Sequence, residues 1–311
     1  MNNYKYLLLI GIICFSCIQP QNNFFEATDA YIGQKPPGLI PEVFAPGIVS
    51  DTSWGEHCQV AISPKGDEIY WSAWSSKYPP ADTTYGNNTE QIYYSKFEDG
   101  IWTKPALAEF VKDHLTILNG GPVFSRDGNR LYFYSVNRSG GLGGMDTWYV
   151  EKIDKKWSEP INAGEPYNSA KDDWSPIFTS LGNAYKNFGK TIKYKYENEI
   201  FSNPDTIVIH KDFRPIFPIY MSPDESYVIF DSFKEDNFGD LDLYISFKNK
   251  DNTWGYPINM GDKINTKTRE RFPNVSPDGK YFFFMRHTET QDFYWVSTDV
   301  IKDLKSQDKT E

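Results

Sequence analysis

Three acidic residues, Glu56, Asp173 and Glu270, are the candidates for catalysis in this sequence. Each lies a few residues before a short turn motif that recurs along the chain. Two carboxyl groups held roughly 5 to 9.5 Å apart can cleave a glycosidic bond, one as acid and the other as nucleophile or base. The sequence does not give their separation in space, so it allows hydrolase or lyase chemistry without requiring it.

Further polar and aromatic residues occupy the same short segments before the turns. Guanidinium, amide, imidazole and carboxylate groups could hold an anionic or hydroxylated ligand such as a glycan, and a tryptophan ring could stack on it. The same charges could instead pair with one another and form a solvated wall. The candidate ligand-binding residues are His57, Asn119, Asp172, Trp174, Arg214, Arg269 and Arg271.

The sequence gives little support for a metal ion or a cofactor, and we expect neither. The four histidines lack the paired spacing of a zinc site. The segment from Asp236 to Asp242 superficially resembles a calcium loop but lacks its regular ligand alternation and distal glutamate. Asp146 and Asp242 are therefore expected to cap turns, with calcium binding as the alternative.

Cys58 is expected to pack as a small buried apolar residue. A nucleophilic cysteine needs a positioned base. His57 precedes Cys58 directly, and successive side chains of a strand point to opposite faces. We therefore expect the imidazole to point away from the thiol.

A turn motif occurs five times along the chain, and it marks the repeated strands that must position these residues. In the Ser-Pro-Asp-Gly form of the motif, proline presets φ and glycine accepts a positive φ, so these residues are expected to be structural. An apolar run follows four of the turns, and the run after the third copy is degenerate. The copies are Ser63–Gly66, Ser125–Gly128, Thr179–Gly182, Ser222–Glu225 and Ser276–Gly279.

Downstream of the turns a third aromatic run recurs, and three copies continue with Trp-x-x-Pro, at Trp102, Trp157 and Trp254. Each copy therefore predicts a four-stranded antiparallel sheet of about 50 residues, which cannot bury both of its faces alone. Stacking such sheets around an axis buries the faces between neighbours. The sequence thus predicts an all-β propeller, most simply with five blades and alternatively with six.

These motifs resemble the WD40-like repeat of TolB-type propellers, on the phrases SPDGKYFFF, FSRDGNRLYFYS and NRSGGLGGMDTWYV. The Trp-x-x-Pro-x-Asn-x-Gly segments at Trp157 and Trp254 resemble the variant common in exported lipoproteins of the Bacteroidetes. The resemblance covers about residues 42–297 and implies an envelope location. The last blade lacks a fourth strand, so we expect the segment Pro41–Phe44 to pair with it and close the ring.

The first residues carry Lys5, an apolar run from Leu7 to Phe15, and Ser16-Cys17. This run is too short to span a bilayer and is typical of a secretory signal. Its ending resembles the lipoprotein signal, in which the cysteine becomes acylated, with ordinary cleavage as the alternative. The predicted organisation is a signal over 1–17, a flexible tether over 18–38, one propeller domain over 39–300 and a polar tail over 301–311.

Composition limits the partners. The chain has 311 residues and a formal net charge of −10, and it has no basic stripe, which argues against nucleic-acid binding. The expected protein is an exported monomer, anchored only by lipid at the outer membrane or cell surface. It is expected to bind or scaffold a protein or glycan through its channel face, with a glycan-active hydrolase or lyase as the alternative.

Overall fold

The computed structural model describes residues 31–75, 89–235 and 237–307. The signal, Cys17 and most of the tether fall outside this described part of the chain, so the expectations for them stand as predictions.

The described residues form five antiparallel sheets, three of four strands and two of five, and in each sheet neighbouring strands pair in order from the innermost strand outward. The first strand of the chain, β1 (Glu42–Val43), belongs to the last of these sheets. In blades one and two the outer strand is broken into two short pieces at the Trp-x-x-Pro motif. The strands of these blades are β2 (Gly55–Ile62), β3 (Glu68–Ser75), β4 (Thr89–Glu98), β5 (Ile101–Trp102), β6 (Ala106–Leu107), β7 (Asn119–Phe124), β8 (Arg130–Val136), β9 (Met145–Ile153), β10 (Lys156–Trp157) and β11 (Ile161–Asn162).

Blades three, four and five complete the ring. Blade three draws its outer strands from the region in which a sixth blade would have had to lie, so the count is five. The strands are β12 (Ile177–Phe178), β13 (Asn183–Asn187), β14 (Thr191–Glu197), β15 (Ile200–Ile207), β16 (Tyr220–Met221), β17 (Tyr227–Ser232), β18 (Asp242–Phe247), β19 (Ile258–Asn259), β20 (Arg269–Val275), β21 (Tyr281–His287) and β22 (Gln291–Ser297).

Strand β1 closes the ring as the sequence predicts. It pairs antiparallel with β22, with Glu42 opposite Trp295. The next residue, Phe44, is fully buried and lies edge-on to Phe283 and Trp295, with ring centroids 5.1 and 5.3 Å away. The N-terminal strand thus covers the edge that blade five would otherwise expose.

Five clusters of buried apolar side chains fill the five junctions between neighbouring blades. Because successive side chains of a strand point to opposite faces, both faces of each blade carry apolar residues. On β3, Tyr70 packs towards blade two while its neighbour Trp71 packs towards blade five. Each blade is therefore stabilised by both of its neighbours, which is the physical reason that the sheets form a ring rather than separate units.

The turn motif is structural. The hydroxyl of Ser125 donates to Asp127 Oδ1 at 2.6 Å and accepts from the backbone N–H of Arg130 at 2.9 Å. Ser276 makes the same contacts with Asp278 and Tyr281.

The degenerate third turn has no aspartate at this place. Instead, Glu225 of blade four accepts hydrogen bonds from Thr179 Oγ1 and from Asn183 Nδ2, at 2.9 and 2.6 Å. A carboxylate from the next blade thus accepts the hydroxyl hydrogen bond that the turn aspartate accepts in other blades.

Two ends of the described chain pack closely on blade five. Tyr31, within the segment predicted as a tether, is buried against Tyr281 and Trp295 and donates to Asp278 at 3.0 Å. Residues 299–307, which include part of the predicted polar tail, form helix α1 (Asp299–Gln307). Its buried Val300 and Ile301 join the cluster between blades four and five.

No helix among the described residues has the length and apolar character needed to cross a bilayer.

Candidate functional site

The inner strands are irregular where they start. In blades one, two and five the pairing of the innermost strand shifts by a β-bulge. A residue with positive φ lies at each bulge: Cys58 at 64°, Gly121 at 60° and Phe272 at 54°. A bulge interrupts the alternation of side chains, so it redirects side chains towards the axis.

Aromatic rings from all five blades meet at this end of the axis. The ring of Phe272 lies 5.1 Å from His57 and 5.3 Å from Phe217, and Trp174 lies 4.9 Å from Tyr134, all between centroids. We call these five residues the aromatic plug. Trp174 is only 6% exposed, so its ring packs within the protein rather than offering an open stacking face to a ligand.

Two residues of the plug, His57 and Tyr134, also form a largely buried polar cluster with Cys58 and Glu90. The Cys58 sulfur lies 3.3 Å from His57 Nδ1, and Nδ1 lies 3.0 Å from Glu90 Oε1. The Tyr134 hydroxyl donates to Glu90 Oε2. The expectation that the imidazole points away from the thiol is therefore wrong, because the bulge at Cys58 brings both side chains to one side.

The cluster does not have the geometry of a catalytic triad. A base that relays a proton uses one ring nitrogen for the nucleophile and the other for the acid, whereas Cys58 and Glu90 both approach Nδ1 of His57. Cys58 is buried as expected, and burial raises the pKa of its thiol well above the usual value. Burial therefore disfavours the thiolate form of Cys58.

The three candidate catalytic carboxyl groups are all buried, and each is held by neighbours in the fold. Asp173 pairs with Lys186 at 2.6 Å and Glu270 with Arg286 at 3.0 Å. Glu56 accepts from the backbone N–H of Asp51 at 3.3 Å, and burial raises the pKa of its carboxyl to about 9. These contacts hold the three carboxyl groups at equivalent places in blades three, five and one.

The predicted ligand-binding residues separate into two groups. The structure brings His57, Trp174 and Arg271 to the plug, where the Arg271 guanidinium lies 4.7 Å from the Phe217 ring. The others do not join them. Asn119 is buried and donates to Gln91 at 3.1 Å.

The remaining three are exposed. Arg269 pairs with Asp240 at 2.9 Å. Asp172 faces solvent. The guanidinium of Arg214 lies over Gly189, so close that a Cβ added to this glycine would be 3.1 Å from Arg214 Nη2.

The expected turn-capping role of two aspartates is confirmed. Asp242 accepts from the backbone N–H of Phe238 at 2.8 Å and Asp146 accepts from that of Gly143 at 3.2 Å. The asparagine of each Pro-Ile-Asn segment also donates to this aspartate, at 2.8 Å for Asn259.

At the opposite end of the axis, among the turns, an axial cavity of about 260 Å³ opens. Its inner wall carries a proline from each of four blades, with Gln59 from the first. Among the described residues that line the cavity, Arg126 is the only charged one. No described residue forms an ion pair with it. The prolines are Pro122, Pro176, Pro218 and Pro273.

The sequence predicts the ligand-binding residues where the inner strands begin, and the plug fills that end of the channel. The cavity at the turns is not among the predicted sites. One sequence signal marks the inner wall of this cavity, because a proline three or four residues before the turn serine or threonine recurs in blades two to five.

Several solved structures are similar to this chain in outline. The arabinanase of Bacillus subtilis is 10% identical, with a TM-score of 0.48, over 78% of this chain and 94% of the other. An α-L-arabinanase mutant of Cellvibrio cellulosa is 13% identical, with a TM-score of 0.49, over 79% and 92%. A protein of Agrobacterium tumefaciens described as TolB is 12% identical, with a TM-score of 0.44, over 74% and 69%.

These similarities are too distant to bear on activity. No protein-family model and no curated protein matches the sequence.

Proposed function

We propose that this protein is a non-catalytic binding module that captures an extended segment of a partner protein in the axial cavity. An apolar side chain of the segment enters the cavity, and a carboxylate of the segment pairs with Arg126. The observation that carries this proposal is the wall of the cavity, which is apolar and proline-rich and has one guanidinium at its rim.

The shape and stiffness of the cavity favour a protruding segment. Its volume of about 260 Å³ admits a few side chains rather than a folded surface. Four prolines, each with φ fixed by its ring, hold the inner wall in place. A preorganised wall loses little conformational freedom when a ligand binds, so more of the interaction free energy appears as affinity.

Arg126 defines the charge that the ligand must carry. Partial burial lowers the pKa of this guanidinium, and none of the ion pairs among the described residues involves it. A carboxylate brought by a ligand would make charge-assisted, bidentate hydrogen bonds there. Because the whole chain has a net charge of −10, this guanidinium is a local site of opposite sign.

A glycan-active hydrolase or lyase is the alternative, and the contacts favour it less. Hydrolysis by two carboxyl groups requires both to face the substrate. The described lining of the cavity contains no carboxyl group, and Asp173 and Glu270 are already paired with Lys186 and Arg286.

The test begins with a random library of displayed hexapeptides with free C-terminal carboxylates, enriched on the immobilised protein. Binding of an enriched peptide is then followed through ¹³C-labelled methionine methyl groups. Met221 lines the cavity, whereas Met260 lies in the junction between blades four and five. We expect the Met221 signal to shift and the Met260 signal to stay.

A blocking variant sharpens this test. Ile177→Trp fills part of the cavity wall, and Ile153→Trp places the same ring at an exposed position outside it. We expect at least a tenfold loss of peptide affinity in the first variant and no loss in the second. No enrichment, equal binding by both variants, or binding of a glycan array in place of peptides would overturn the proposal.

We further propose that the module is tethered to the outer membrane or cell surface by acylation of Cys17, on the strength of the leader sequence. The wild-type protein should partition into the detergent phase of a phase-separating detergent, and Cys17→Ala should stay in the aqueous phase. Aqueous partitioning of the wild type would argue against the anchor.

A further inference from the structure

The polar cluster of His57, Cys58, Glu90 and Tyr134 has a feature that hydrogen bonding alone does not explain. Three heteroatoms surround one ring nitrogen: Glu90 Oε1 lies 3.0 Å, Cys58 Sγ 3.3 Å and Tyr134 Oη 3.3 Å from His57 Nδ1. An imidazole nitrogen carries either one proton or one lone pair, so it makes one good hydrogen bond. The crowding is explained if the groups share a positive ion instead of a proton.

We propose that His57, Cys58 and Glu90 bind a divalent transition-metal ion of the zinc class, with the Tyr134 hydroxyl or a water molecule as fourth ligand. The three ligand atoms lie within 4.8 Å of one another. Tetrahedral zinc, with bonds of about 2.0–2.3 Å, separates its ligand atoms by roughly 3.3–3.7 Å. The separations around Nδ1 are close to these values.

The chemistry of the donors selects the class of ion. Thiolate and imidazole favour zinc and its neighbours, whereas calcium and magnesium require oxygen ligands. Cys58 and Glu90 are almost completely buried. A divalent cation neutralises one thiolate and one carboxylate, which removes the cost of an uncompensated charge in this apolar site.

The surrounding structure holds the ligands in this arrangement. The positive φ of Cys58, 64°, turns its side chain to the same side as that of His57. Ser72 donates to the backbone carbonyl of His57 at 2.8 Å and fixes the strand beside the bulge. Gly120 leaves room for the Glu90 carboxylate, since an added Cβ there would collide with it.

The experiment uses the full chain with Cys14→Ser and Cys17→Ser, so that Cys58 is the sole thiol. The purified protein is analysed for metal by mass spectrometry and then stripped and titrated with Co²⁺. We expect about one zinc ion per chain. With Co²⁺ we expect intense visible bands of tetrahedral cobalt and a thiolate-to-cobalt charge-transfer band in the near ultraviolet.

Variants assign the ligands. Cys58→Ser should abolish the charge-transfer band, and Glu90→Gln should weaken Co²⁺ binding at least tenfold. The matched controls are His210→Gln, outside the cluster, and Glu225→Gln, another buried glutamate; both should bind as the wild type does. Circular dichroism of each stripped variant establishes that it is folded.

The wild-type protein alone also decides the proposal, even if a variant does not fold. Loss of the ion to a chelator should lower the thermal unfolding midpoint, and one equivalent of Zn²⁺ should restore it. Absence of stoichiometric zinc together with absence of a charge-transfer band on Co²⁺ addition would overturn the proposal, as would unchanged Co²⁺ binding in folded Cys58→Ser and Glu90→Gln.

Discussion

The sulfur of Cys58 lies 3.3 Å from Nδ1 of His57, although the two residues are consecutive in strand β2. Regular alternation would send their side chains to opposite faces. The positive φ of Cys58 and the shift of pairing after His57 bring them together. This local irregularity produces the buried polar cluster beside the axis, which also receives Glu90 and Tyr134.

Gly120→Ala tests how tightly that cluster is packed. An added Cβ would collide with the Glu90 carboxylate and lie 2.6 Å from the Tyr134 hydroxyl oxygen. We expect the free energy of unfolding to fall by about 1–3 kcal/mol and the Co²⁺ charge-transfer band to weaken. Denaturant titration and absorption spectroscopy measure the two effects. Gly38→Ala, where an added Cβ meets nothing within 4 Å, is the control; equal effects in both variants would contradict this packing.

Phe44→Ala tests closure of the ring. Its ring is fully buried between Phe283 and Trp295, so its removal should leave a cavity and cost about 3–5 kcal/mol of unfolding free energy. Chemical denaturation measures the loss. Ile40→Ala, at a side chain that is 72% exposed, should change stability by less than about 0.5 kcal/mol. A loss below about 1 kcal/mol for Phe44→Ala would mean that β1 does not contribute to closure.

Lys186→Met tests the structural role of Asp173. The ammonium pairs with Asp173 at 2.6 Å and both groups are buried. The variant leaves an uncompensated carboxylate and should lose about 3–5 kcal/mol. Adding Asp173→Asn should recover part of this loss.

The control for this pair is Lys302→Met, since Lys302 pairs with Asp299 in an exposed setting and such pairs contribute little. Equal losses in Lys186→Met and Lys302→Met would show that the buried pair has no special importance.

Glu56→Gln tests a pH dependence. Burial raises the pKa of Glu56 to about 9 in the folded protein, above its usual value. The folded state therefore keeps a proton that the unfolded state releases, and stability falls as pH rises from about 5 to about 9. The slope for one proton is at most about 1.4 kcal/mol per pH unit. Glutamine carries no titrating proton, so the variant should lose this slope.

From pH 7 to pH 9 the difference in unfolding free energy between wild type and Glu56→Gln reports on Glu56, because the buried Cys58 thiol, whose pKa is also raised, is present in both proteins. Burial raises the pKa of Asp231 to about 6, so that residue changes the slope only at lower pH. Unfolding free energies of wild type and Glu56→Gln that run parallel from pH 7 to pH 9 would contradict the raised pKa.

The sequence predicts the ring well because each of its construction rules is local. Turn residues such as Ser125 and Asp127 act within a few positions of one another, and the strands that follow them alternate regularly. The closing strand is also predictable, since blade five lacks a fourth strand in its own sequence. Five junctions filled by apolar residues then follow from stacking the repeated unit.

The sites are less predictable because they depend on departures from the repeat. The contact between His57 and Glu90 joins residues 33 positions apart and depends on a bulge that no turn motif marks. The carboxyl groups of Asp173 and Glu270 occupy the expected segments, but their burial and their ion pairs follow from tertiary packing. Charge and position in the chain could not predict these contacts.

The claim that ligands bind at the turns rather than where the inner strands begin is tested most directly by two arginine variants. Arg126 lines the axial cavity, and Arg269 lies at the start of inner strand β20. For a peptide enriched on the wild type, Arg126→Gln should weaken binding ten- to a hundredfold, as expected for loss of a charged hydrogen bond of about 1.5–3 kcal/mol, and Arg269→Gln should leave the dissociation constant unchanged. The opposite ranking of the two dissociation constants, measured by calorimetry, would contradict the account.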